Sequence, residues 1–89
     1  MMIAVLQPEI RSRMPRYFFD TYDGTVIFDD EGRLLPDLTS ARLAARHLLE
    51  ELVRHASPDR AESRFRADIR DEAGRVICTA TLVLAYGGA

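Results

Sequence analysis

Apolar and polar positions along this chain follow two rhythms, and the change from one to the other predicts the elements. Residues 16 to 22, Arg-Tyr-Phe-Phe-Asp-Thr-Tyr, are aromatic-rich and read at period two. Asp23-Gly24 behind them is a hairpin turn signal, because glycine takes positive φ without steric cost. Thr25 to Asp29 is expected as the returning strand. Asp30-Glu31-Gly32 punctuates the chain again, and Leu34 and Leu35 are expected to re-enter the core. Pro36-Asp37 announces a helix, with Asp37 placed to cap its free amides. Leu38, Ala41, Ala44, Ala45, Leu48, Leu49, Leu52 and Ala56 then share one broad face at about 3.6 residues per turn. Arg42, Arg46, Glu50 and Arg54 form an i, i+4 stripe on the exposed side. Ser57-Pro58 ends the helix.

A second period-two region follows a polar loop at Asp59 to Ser63. Phe65, Ala67 and Ile69 alternate with Arg64, Arg66, Asp68 and Arg70; Asp71 to Gly74 turn the chain. Val76, Cys78, Ala80, Leu82 and Leu84 then alternate with Ile77, Thr79, Thr81 and Val83. Gly87, Gly88 and Ala89 are expected as a loose tail. The predicted architecture is α+β in the order ββαββ: a four-stranded antiparallel sheet with one helix packed on one face. The turn Asp30-Glu31-Gly32-Arg33-Leu34-Leu35 echoes Asp71-Glu72-Ala73-Gly74-Arg75-Val76-Ile77, which reads as shared turn chemistry and is too short to establish a duplicated half.

One helix covers one sheet face, yet the strands carry apolar side chains on both. The open face is expected to present Phe18, Tyr22, Ile77 and Val83 beside Arg64, Arg66 and Arg70. Apolar and arginine side chains in such a mixture are enriched at protein interfaces. Phe18, Tyr22, Arg64, Arg66 and Arg70 are therefore the candidate interaction surface, and a homodimer or a small protein partner is the expected use of it.

Charge sharpens that expectation. All twelve basic residues are arginine, with no lysine, against fourteen acids, for a net charge of -2. Residues 1 to 37 carry four arginines and seven acids (-3), and the rest eight and seven (+1), so neither part is strongly basic. Stacked aromatics and arginines on an open sheet can bind single-stranded nucleic acid. That affinity normally rests on phosphate neutralisation by a basic excess, so nucleic-acid binding stands as the alternative, not the leading reading.

Candidate chemistry is sparse. Cys78 is alone, which excludes an intramolecular disulfide, and it reads as a small buried hydrophobe. His47 and His55 have no paired nucleophile and, with Cys78, no metal-ligand spacing. Asp20, Asp23, Asp29, Asp30 and Glu31 crowd the first hairpin without the alternation of a calcium loop and read as turn formers. The expectation is a non-enzyme with no cofactor and no metal. Met1 to Leu6 is a short apolar run followed, not preceded, by Arg11 and Arg13, the reverse of a secretion signal. Residues 1–13 are expected to be a weakly ordered extension, 14–86 the domain, and the protein soluble and cytoplasmic, without a membrane-spanning segment.

Met14-Pro15-Arg16-Tyr17-Phe18-Phe19, the Asp23-Gly24 turn, Asp30-Glu31-Gly32, Leu35-Pro36-Asp37-Leu38 and the Asp71 to Val76 turn together resemble a family of short bacterial proteins known as a domain of unknown function. The resemblance spans residues 14 to 84 and implies Met14 as the usual start. The family commonly has His at the position of Asp20, and the resemblance brings no activity, cofactor or catalytic residue. Around the helix and its approach the chain is also similar to the small antitoxins of the HicB type. That likeness implies partner binding and gives a second form of the alternative reading, an antitoxin-like regulatory module.

Overall fold

The computed structural model describes residues 14–88, and the extension expected at 1–13 lies outside the described residues. The elements are β1 (Arg16–Tyr22), β2 (Val26–Ile27), β3 (Arg33–Leu34), α1 (Leu38–Arg54), β4 (Glu62–Arg70) and β5 (Val76–Ala85). The fold is α+β, with one helix and an antiparallel sheet in the order β2-β1-β4-β5, β3 also pairing with β1.

The returning strand differs from expectation. Residues 25 to 29 do not form one continuous strand; β2 and β3 each contribute two residues to the same edge of β1. Tyr22 pairs with Val26 and Thr21 with Ile27 at one end. Tyr17 pairs with Arg33 and Arg16 with Leu34 at the other. Between them the chain leaves the ladder because Asp29 substitutes for it. Its carboxylate accepts the Phe19 amide at 3.0 Å through Oδ2 and the amides of Glu31 and Gly32 at 3.0 and 3.1 Å through Oδ1. A side chain thus satisfies the β1 donor that a strand carbonyl would otherwise take. Leu34, expected in the core, is half exposed, whereas Leu35 packs against the core.

The helix begins as its sequence requires. The Asp37 carboxylate accepts the Ser40 amide at 2.8 Å, which draws its carboxyl below the ordinary value, and the helix ends at Arg54 with His55 as cap. Ala41, Ala44, Ala45 and Leu49 are buried against Tyr17, Phe19, Phe65, Ala67 and Ile69 of the sheet. Ala41, Ala45 and Ala67 have no exposed surface, so methyl groups set a close approach of helix to sheet. The helix packs chiefly on β4 and β5 and least on β1. Its flank toward β5 carries an exposed ion pair between Arg46 and Glu50, 3.4 Å apart.

β4 and β5 pair over nearly their full length, from Glu62↔Ala85 to Arg70↔Val76, with one bulge between Ile69 and Arg70. The bulge makes Ile77 the extra residue and turns Val76 outward, so Val76 is 54% exposed although simple alternation places it with Cys78. Cys78 lies half-buried on the helix side, as a packed small residue would.

Candidate interaction surface

Strand register decides which side chains meet on the face away from the helix. Phe18 lies opposite Arg70, Asp20 opposite Asp68 and Tyr22 opposite Arg66 across the β1–β4 ladder. β5 adds Thr79 opposite Asp68, Thr81 opposite Arg66 and Val83 opposite Arg64. All five candidate residues, Phe18, Tyr22, Arg64, Arg66 and Arg70, are on this face, and the structure divides them into two groups.

Arg70 belongs to a fixed network. Its guanidinium donates to Asp20 through Nε at 2.6 Å and Nη2 at 3.2 Å, and Nη2 also donates to the Asp29 carbonyl at 2.8 Å. The same group stacks on the Phe18 ring, 5.0 Å from its centre. Asp20 is 8% exposed and accepts the Asp29 amide at 2.9 Å through Oδ1. The bond from Arg70 is the largest influence on Asp20 and, with the Asp29 amide, holds its carboxyl below the ordinary value in spite of burial. Asp20 in turn holds the Arg70 guanidinium above its usual range. For Asp29, burial pushes the carboxyl up; the amides of Gly32, Phe19 and Glu31 and the Arg70 charge outweigh it and leave the net shift downward.

This network engages Nε and Nη2 of Arg70 and one face of Phe18. Both residues hold the β2–β3 loop to the sheet and are not free to contact a partner with those groups. The acids of the first hairpin are turn formers in part, as expected, and the Asp20–Arg70 ion pair is an addition that spacing could not show, since its members are fifty residues apart.

The second group is accessible. Tyr22 is 37% exposed, and Arg66 stacks over its ring at 5.2 Å. Arg66 also lies 3.5 Å from Asp68, whose Oδ1 accepts from the Thr79 hydroxyl at 2.9 Å. Arg64 pairs with Glu62 at 3.1 Å and remains largely in solvent. Ile77 and Val83 are 40% and 44% exposed, and Thr79 and Thr81 are exposed between them. The result is a shallow surface with apolar patches, in which every arginine already faces an acid of its own chain.

The other titratable candidates remain separate. His47 is exposed on the helix, and His55 at its end lies 3.7 Å from Glu51. Among the described residues no group of three His, Cys, Asp or Glu is arranged to hold a metal ion. No helix among them is long and apolar enough to cross a membrane.

The sequence signal for Asp29 was present in the echo between the two turns, displaced by one residue. Asp29-Asp30-Glu31-Gly32-Arg33 and Asp71-Glu72-Ala73-Gly74-Arg75 share the spacing Asp-x-x-Gly-Arg. The Asp71 carboxylate accepts the amides of Ala73 and Arg75 at 2.9 and 3.0 Å, as Asp29 accepts those of Glu31 and Gly32. Gly32 and Gly74 have φ of 71° and 84°. The anchor of the first turn is therefore Asp29, with Asp30 exposed beside it.

Residues 16–83 match the model of a family described as a domain of unknown function (DUF6894). No curated protein and no solved structure matches the chain.

Proposed function

We propose that this chain, which belongs to the DUF6894 family, is a non-enzymatic protein-interaction module that associates with itself through its sheet. The observation that supports this reading is the face opposite the helix. No described element covers it, and it exposes Tyr22, Ile77 and Val83 between arginine–acid pairs. Burial of such apolar area contributes about 25 cal/mol per Å², the general driving force for association. Charges already paired within one chain can enter an interface without leaving an unpartnered ion behind.

The arrangement disfavours the alternative, a nucleic-acid-binding or antitoxin-like module. Guanidinium groups stack on Tyr22 and Phe18, where bases would stack, and the acids Asp20 and Asp68 lie between them. A mass measurement by light scattering on the full chain, over a dilution series, tests the reading. A concentration-dependent mass approaching twice 10.1 kDa is expected. A constant monomer mass overturns self-association, and salt-sensitive binding to single- or double-stranded probes would establish the alternative.

A further inference from the structure

The two edges of the sheet are built in opposite ways. On the β1 side the edge is broken into two pieces of two residues, with the Asp29 carboxylate closing the gap. On the other side β5 is ten residues long, the longest strand, and its outer edge pairs with no described strand. Natural sheets blunt exposed edges with charges, proline, bulges or short strands. Val76–Ala85 contains no charged residue and no proline, and its one bulge lies at its start, which leaves Cys78 to Ala85 in regular pairing.

We infer that this edge receives the β5 of a second copy of the chain, antiparallel, so that two sheets join around a two-fold axis. The inference rests on the self-association proposed above and specifies where it occurs. Three observations favour a second copy. First, β5 is self-complementary when reversed. With Ala80 opposite its counterpart, Thr79 meets Thr81 and Cys78 meets Leu82, while Ile77 approaches Val83. Polar residues thus face polar and apolar face apolar, on both sides of the sheet.

Second, the helix flank beside this edge is complementary to itself. A groove of ≈ 330 Å³ runs between α1 and β5, with Leu49, Ala80 and Leu82 as its apolar floor and Arg42, Arg46 and Glu50 along its rim. A two-fold axis places two such helices antiparallel, so the Arg46 end of one rim comes beside the Glu50 end of the other. Third, a second β5 matches the length of the edge better than the competing segment of the same chain does. The longest apolar run before Met14 is six residues, Met1 to Leu6, and Pro8 stands two positions beyond it, against ten positions on β5.

The experiment combines mass with amide hydrogen exchange on the full chain. Pairing through the edge protects the outward-pointing amides of β5, slowing their exchange by about tenfold or more as concentration rises, whereas stacking through the open face protects none of them. Thr79 and Thr81 are exposed, so replacing both removes the Thr79–Asp68 bond and leaves the core packing untouched. T79K/T81K and T79E/T81E are each expected to be monomeric, with unchanged circular dichroism and a lowered melting midpoint that no longer depends on concentration, and to form a mixed dimer when combined. A wild-type dimer without concentration-dependent β5 protection, broken by F18S/Y22S at retained fold, overturns the edge while preserving self-association. A wild-type monomer overturns both. A monomer whose β5 amides lose protection when residues 1–13 are removed assigns the edge to that segment and overturns the second copy.

Discussion

The turns at Asp29–Gly32 and Asp71–Gly74 have the same sequence spacing and opposite fates. Each starts with an aspartate that accepts amides further along the turn, has a glycine in the left-handed region three residues on, and has an arginine at the approach to the next strand. The Asp71 turn closes on itself: Arg75 returns to Asp71, with Nη2 at 3.1 Å from Oδ2. In the Asp29 turn that second oxygen is given to Phe19, and Arg33 leaves to stack on the Phe19 ring at 5.6 Å. A local motif therefore sets the shape of a turn, and neighbouring backbone sets how much stability depends on it.

Substitution at the two glycines makes the largest contrast. A Cβ at Gly32 lies 2.9 Å from the Tyr17 carbonyl oxygen and 2.9 Å from the Arg16 Cγ, whereas Gly74 has open space. Gly32→Ala is expected to cost about 3 kcal/mol, the left-handed strain plus a backbone displacement. Gly74→Ala carries the strain alone, about 1 kcal/mol. Equilibrium denaturation in urea measures both, and equal losses would show that the first turn is not clamped to β1.

The anchoring carboxylates come next. Asp29→Ala leaves three amides without their acceptor, one of them the part-buried Phe19 donor, and is expected to cost about 2 kcal/mol. Asp20→Ala removes the partner of Arg70 and is expected to cost a similar amount, about 2 kcal/mol. Because Asp20 accepts the Asp29 amide, the double variant is expected to lose less than the sum. Asp71→Ala costs less than either, its turn being in water. Strict additivity at Asp20 and Asp29 would separate the loop from the ion pair.

Acid titration sharpens the comparison further. Asp20, Asp29 and Asp71 all have folded-state carboxyls shifted downward. The unfolded chain then binds more protons, so these groups contribute stability that is complete above the unfolded value of about 3.9. It is lost as pH falls through their lower folded values. Thermal melts from neutrality to below about pH 4 are expected to show a falling midpoint, flattened more by Asp20→Asn or Asp29→Asn than by Asp71→Asn. The smallest effect belongs to Asp30→Ala, within about 0.5 kcal/mol, because the exposed neighbour of the anchor makes no bond in the turn. A larger loss there would return the anchoring role to Asp30.

Much of the candidate surface was legible in the sequence, and the reason is period two. Once Phe65, Ala67 and Ile69 take the helix side, Arg64, Arg66 and Arg70 have only the other face, and register carries Phe18 and Tyr22 to them. What alternation cannot report is whether an arginine is already engaged. Arg64 and Arg70 look alike in sequence; one is largely in solvent and the other is bound by two aspartates and a ring. Nor can a pattern distinguish an edge that is broken from one left open, which is a matter of sheet order.

By itself the chain determined its helix, its cap at Asp37, its turns and the inward residues of β4, because each depends on contacts within a few positions or on a simple period. Tertiary structure alone decided that the returning strand would break at Asp29, that Asp20 would be buried with Arg70, and that β5 rather than β1 would lie outermost. Those outcomes depend on partners up to fifty residues away, where a carboxylate, an amide or a strand edge is satisfied only by what the fold brings beside it.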